Sequence, residues 1–132
     1  MSFSLHPQLE KDTDVIGHFP ICIALLHKDG AVPWVILVPK KENLKELHHL
    51  PMAEQQQFLL ESQLVSETLE ALYQPDKINL GALGNMVPQL HIHHIARSKL
   101  TWHGRDQFGE IPRANPAKPR LNKPCWLNCV TH

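Results

Sequence analysis

The chain has 132 residues, thirteen Lys and Arg balanced by thirteen Asp and Glu, and 42% apolar residues. That is enough for one domain with its own core, and a charge near zero gives no basis for broad nucleic-acid binding, although a small phosphate ligand needs only local donors. No apolar run reaches the roughly 18 residues of a membrane span, the opening MSFSLHPQLEKDTD lacks the basic-then-apolar order of a secretory signal, and the three cysteines, Cys22, Cys125 and Cys129, make no disulfide framework, so the cytoplasm is the expected compartment.

In chain order, HPQLEKDTDVIGHFP reads as a short helix from about Pro7, stopped near Gly17 and Pro20. ICIALLHK (21–28) and PWVILVPK (33–40) are apolar and partly β-branched, and the Asp-Gly between them signals a turn, so the pair predicts an antiparallel hairpin. ENLKELHHL places leucines at 44, 47 and 50, a helical spacing ended by Pro51. The longest helix is expected over 53–74, with Phe58, Val65, Leu69 and Leu72 in one apolar stripe, Leu64 widening it, and glutamates and glutamines facing water. KINLGAL (77–83) and QLHIHHIAR (89–97) supply two late strands around the tight connection GNMVP.

These elements predict an α+β domain over 1–100, a meandering antiparallel sheet with helices on one face. From 101 to 132 the character changes. No periodicity survives in EIPRANPAKPRLNKP, and this proline-rich tail either stays partly disordered or uses Trp102, Phe108 and Trp126 to pack on the domain or on a second subunit.

The chemistry concentrates in QLHIHHIAR. Alternate side chains of a strand share a face, so Gln89, His91, His93 and Ile95 point one way and Leu90, Ile92, His94 and Ala96 the other. His94 thus falls on the core face as a packing histidine, while His91 and His93 stand about 6.6 Å apart on the polar face. Two readings of that pair are open. They chelate zinc with a third ligand from elsewhere, such as Cys125, Cys129 or His132. Alternatively, one imidazole is a nucleophile, which a neutral imidazole near pH 7 can be, with neighbours donating to phosphate oxygens.

The stretch Gln89–Leu90–His91–Ile92–His93–His94–Ile95 resembles the histidine triad (HIT) motif, His-φ-His-φ-His-φ-φ with φ apolar. GNMV (84–87) is similar to the family's Gly-Gln-(Ser/Thr)-Val loop, WVILVPKK (34–41) to its second strand and CIALL to its first; together the likeness covers roughly residues 15 to 97. It implies an antiparallel sheet of about five strands with two main helices, and a homodimer whose sheets join. It also implies chemistry. His91 would attack the α-phosphorus of a nucleotide to give a covalent nucleotidyl-histidine, with His93 beside the leaving group. Asn85 and Met86 would contact phosphate through the loop, and Asp29 would be the nearest candidate for the ribose-binding acid, or equally an ordinary turn aspartate.

The sequence departs from the pattern at the first triad place, where Gln89 can donate a hydrogen bond but cannot titrate. Lys40, Lys41 and Arg97 are either phosphate contacts or ordinary surface charges, and Trp34 either stacks on a base or packs in a core or dimer contact. The expected function is a HIT-type nucleotide hydrolase or nucleotidyl transferase, with catalytic residues His91, His93 and Gln89. The substrate would be a dinucleoside polyphosphate, a nucleoside phosphoramidate or an adenylylated small molecule. No metal or cofactor is called for, and the partners expected are the nucleotide and a second copy of the chain, with no membrane and no polymeric nucleic acid. The alternatives are a non-catalytic purine nucleotide-binding module and a zinc protein.

Overall fold

Pro7 fits the first turn of a helix because that turn leaves its N–H groups unpaired anyway, and His6 caps it by accepting the Gln8 N–H through Nδ1 at 3.1 Å. In the computed structural model, which describes residues 3–98, this helix, α1, covers Pro7–Asp12. The stretch 101–132, and with it the expected tail packing, lies outside the described residues.

The helix expected to run toward Gly17 stops at Asp12, and Thr13–His18 forms an edge strand, β1, that sequence reading missed. Two β-branched residues, Val15 and Ile16, favour strand. Alternation is hidden by a bulge: Val15 pairs with Leu25 and Gly17 with Ala24, leaving Ile16 as the extra residue, buried in the core.

The hairpin forms as expected from β2 (Cys22–His27) and β3 (Trp34–Pro39), in a register from Cys22 opposite Pro39 to Leu26 opposite Val35. The leucines at 44, 47 and 50 do not make an α-helix. Only Leu47–His49 coils, as a 3₁₀ turn, and a strict spacing of three suits that tighter coil as well as it suits an α-helix. Leu44 and Leu50 are nonetheless buried.

The long helix, α2, spans Met52–Tyr73. Its buried face is Phe58, Glu61, Ser62, Val65 and Leu69, whereas Leu64 and Leu72 are exposed, against the expected stripe. Leu64 lies roughly 120° around the helix from the Phe58 line. Nor do all the glutamates face water. Glu61 accepts the N–H groups of Ile21 and Cys22 at 3.2 and 3.0 Å, and the side-chain N–H of Gln57 at 2.8 Å. The strand entry at Ile21 needs an acceptor, and a carboxylate reaching from α2 supplies it.

The remaining strands, β4 (Lys77–Ala82) and β5 (Ile92–Arg97), complete a five-stranded sheet of order β1-β2-β3-β5-β4, every pair antiparallel. The fold class is the expected α+β one, but the sheet is not a simple meander, because β5 inserts between β3 and β4. Helices also cover both faces rather than one. On one face α2 closes a core with Cys22, Ala24, Val35, Leu37, Ile92 and Ala96. On the other, Leu9 of α1 joins Ile23, Leu25, Ile36 and Val38, with Phe3 and Leu5 of the N-terminal segment against them. β2 from Cys22 to Leu26 and β3 throughout are apolar without interruption, so both their faces need cover. No helix among the described residues is long and apolar enough to cross a membrane.

Candidate active site

β5 and the residues leading into it carry the histidines with the alternation expected. On the α2 face, His94 is fully buried. The O–H of Ser62 and His94 Nε2 stand 2.7 Å apart, and His94 Nδ1 lies 3.1 Å from the carbonyl oxygen of Ile92. A carbonyl only accepts, so Nδ1 carries the proton and Nε2 accepts from Ser62. Burial pushes His94 down to about 4, which suits a neutral packing histidine.

His91 and His93 occupy the opposite face, both buried, with ring centroids 5.1 Å apart and planes at 78°. His91 Nδ1 lies 2.7 Å from the carbonyl oxygen of Gln89. The same logic puts the proton on Nδ1 and leaves Nε2 with a free lone pair. His93 is fixed in the other tautomer. The indole Nε1–H of Trp34 donates to His93 Nδ1 at 2.9 Å, so the proton of the neutral ring sits on Nε2. Burial first, then the neighbouring imidazoles of His91, His27 and His94, push His93 down to about 4.

Sequence reading missed His27 altogether and left Trp34 undecided. The register that sets Leu26 opposite Val35 brings His27 beside Trp34, and the two rings stack at 3.7 Å with planes 2° apart. The available signal was the alternation Ile23, Leu25, His27, which puts His27 on the face of the histidine pair. Asp29 connects to this group through its backbone: its N–H donates to His27 Nδ1 at 3.0 Å, while one carboxylate oxygen accepts the Ala31 N–H at 3.0 Å, a turn-closing contact.

Gln89 does not share the surroundings of His91 and His93. Its Oε1 accepts the N–H of His6 at 2.8 Å and its Nε2 donates to the carbonyl of Ser4 at 3.0 Å. It also lines, with Ser4, His6, Asn43 and Lys45, a groove of about 290 Å³ that neither His91 nor His93 reaches. Asn85 and Met86 lie exposed in a bend of the β4–β5 connection, and no hydrogen bond joins either to the histidine pair. Lys40 donates to the carbonyl of Phe19 at 3.1 Å, Lys41 pairs with Glu54 at 2.5 Å, and Arg97 is buried at the end of β5.

Cys22 is no rival nucleophile. Burial and the Glu61 carboxylate push its thiol far above the usual range, so it stays protonated. Among the described residues no three His, Cys, Asp or Glu side chains are grouped to hold a metal ion, and Cys125, Cys129 and His132 lie outside them.

The HIT domain profile matches residues 8–100. A comparison with curated proteins gave no match. Among solved structures, a histidine triad protein from Marinobacter aquaeolei VT8 is 42% identical, with 86% of this chain and 84% of that one covered and a TM-score of 0.80. One from Bradyrhizobium japonicum is 36% identical over 87% and 86% of the two chains, with a TM-score of 0.82. One from Sinorhizobium meliloti 1021 is 36% identical over 86% of both, with a TM-score of 0.78. A profile match across most of the chain, and neighbours this similar in both sequence and backbone, leave one assignment for the sheet and its histidine strand: the chain belongs to the histidine triad (HIT) domain family.

Proposed function

We propose that the protein is a nucleotide hydrolase or nucleotidyl transferase that works through a covalent nucleotidyl-histidine on His91. The observation that carries this reading is the bond from His91 Nδ1–H to the Gln89 carbonyl, which aims the unprotonated Nε2 away from its own backbone. In the first step the Nε2 lone pair forms a bond to the α-phosphorus, and the bond from phosphorus to the leaving group breaks with its electron pair going to that group. In the second, water or another acceptor attacks phosphorus, the P–N electron pair returns to Nε2, and the acceptor's proton passes to solvent. Splitting one displacement into two is what a nucleophilic side chain contributes.

His93 supports the transferred phosphoryl group through its Nε2–H. The backbone N–H groups of Asn85 and Met86, exposed on the loop before β5, serve as further phosphate donors. The stacked His27–Trp34 pair, with Phe3 packed over the same apolar cluster, forms the wall beside the histidines against which a base or ribose rests. Asp29 acts at one remove, holding His27 in place.

The protein acts as a homodimer. β4 is an edge strand that bears an exposed leucine, Leu80, and α2 exposes Leu60, Leu64 and Leu72. An unprotected apolar edge invites pairing with a second copy.

The decisive experiment quenches a reaction with a p-nitrophenyl ester of AMP and takes the intact mass. An adduct of one AMP unit on the wild-type chain, absent from His91→Asn, is expected. Turnover by His91→Asn at the wild-type rate would overturn the reading.

A further inference from the structure

The Trp34–His93 contact has a chemical consequence for what can leave. An indole N–H donates and never accepts. His93 Nδ1, 2.9 Å from Trp34 Nε1, is therefore held as an acceptor, and the ring carries its single proton on Nε2. A neutral imidazole is far too weak an acid to give up its one proton near pH 7; to act as a general acid the ring must first gain a second proton on its other nitrogen. Here the other nitrogen faces a donor. Protonating Nδ1 would set two N–H groups against each other in a buried place, so the imidazolium is shut out by geometry.

We infer that Trp34 is a specificity-determining positioning residue: by holding His93 as an Nε2–H hydrogen-bond donor that cannot release a proton, it limits the enzyme to nucleotides whose leaving group departs as a stable anion. This rests on the covalent reading above and narrows its substrate class. The favoured leaving groups are polyphosphate, carboxylate and aryl oxide. In each, His91 Nε2 bonds to phosphorus, the P–O electron pair stays on the departing oxygen, and no proton moves; the Nε2–H of His93 only steadies the charge. A phosphoramidate differs. Cleavage of its P–N bond would expel an amide anion unless the nitrogen gains a proton, and the neutral ring of His93 does not release its one N–H proton. The low basicity of His93, set first by burial, agrees with this.

The test has two arms on the full chain. In the first, ¹⁵N NMR of the imidazole rings at neutral pH, with AMP bound, is expected to show His93 neutral and protonated on Nε2. A protonated Nδ1, or an imidazolium, would overturn the inference without any turnover being needed. In the second arm, single-turnover rates are compared for diadenosine polyphosphate and for an alkyl phosphoramidate of AMP. The wild type is expected to favour the anhydride by at least about a hundredfold, and Trp34→Phe, which keeps an aromatic ring but loses the N–H, to lower that ratio by at least about tenfold, or about 1.4 kcal/mol. Equal rates on the two substrates, with the AMP adduct still on His91, would overturn the selectivity alone. No adduct with any substrate would overturn the covalent reading and take the selectivity with it.

Discussion

Gln89 holds the backbone of His6. The His6 N–H donates to Gln89 Oε1 at 2.8 Å, and the same amide donates to the Ser4 carbonyl at 3.0 Å, so one side chain pairs with the N-terminal segment much as a strand neighbour would. At the first triad place the sequence suggested a donor to phosphate. In the structure both ends of the amide meet the segment whose Phe3 and Leu5 pack against the apolar cluster that includes Leu25 and Ile36.

The consequence is a prediction about binding rather than bond-breaking. Gln89→Ala removes both contacts, and each is worth about 1 kcal/mol. Residues 3–6 should then exchange their amide hydrogens faster, and KM should rise more than kcat falls, by about tenfold. Gln89→Glu keeps the acceptor for His6 but sets a carboxylate against the Ser4 carbonyl, and should loosen the segment as well. Hydrogen exchange read by mass spectrometry, alongside steady-state kinetics, checks this. A fall in kcat alone, with residues 3–6 still protected, would return Gln89 to the phosphate.

A second prediction concerns His91. His91→Ala or His91→Asn should lower single-turnover rate by at least about 10⁴-fold, the scale seen when a covalent nucleophile is removed, while AMP still binds. Calorimetric titration with AMP and circular dichroism of the variant separate a lost nucleophile from a lost fold. A rate within tenfold of wild type would make His91 a bystander.

Much of the site was legible because strand alternation is a local property. The split of QLHIHHI into a face with His94 against α2 and an opposite face with His91 and His93 follows from period two alone, and the structure has that geometry. What was not legible depends on partners far away in sequence. The Gln89 amide meets His6 across 83 positions, and Trp34 meets His93 across 59, through the β3–β5 register. Glu61 reads as a solvent-facing helix residue until the Ile21 and Cys22 donors are placed beneath it. β1 was hidden for a different reason: the bulge at Ile16 breaks the alternation by which a strand is recognised.

A third prediction follows from the edge of the sheet. At micromolar concentration, light scattering should give twice the chain mass. Leu80→Lys places a charge on β4 where a second copy would pair, and should shift the population to monomer. A wild-type chain that scatters as a monomer at that concentration would rule the dimer out.

The last prediction is a dependence of stability on pH. Burial holds both His93 and His94 down to about 4, from the usual 6.5. Between those values the unfolded chain binds protons that the folded chain refuses, so the stability they contribute is complete above about pH 6.5 and is lost progressively as pH falls toward 4, on the order of 3 kcal/mol for each histidine over the whole range. Urea midpoints at pH 7.5, 6 and 5 should therefore decline in that order. His94→Asn removes one of the two titrations. It should be less stable at pH 7.5, since Ser62 loses its acceptor in a buried site, yet it should fall less steeply between pH 6 and 5. Ser62→Ala leaves His94 Nε2 without its donor and should cost about 1–3 kcal/mol at neutral pH. A wild-type midpoint that stays flat from pH 7.5 to 5 would mean that the two histidines bind protons alike in the folded and the unfolded chain, and that burial does not hold them neutral.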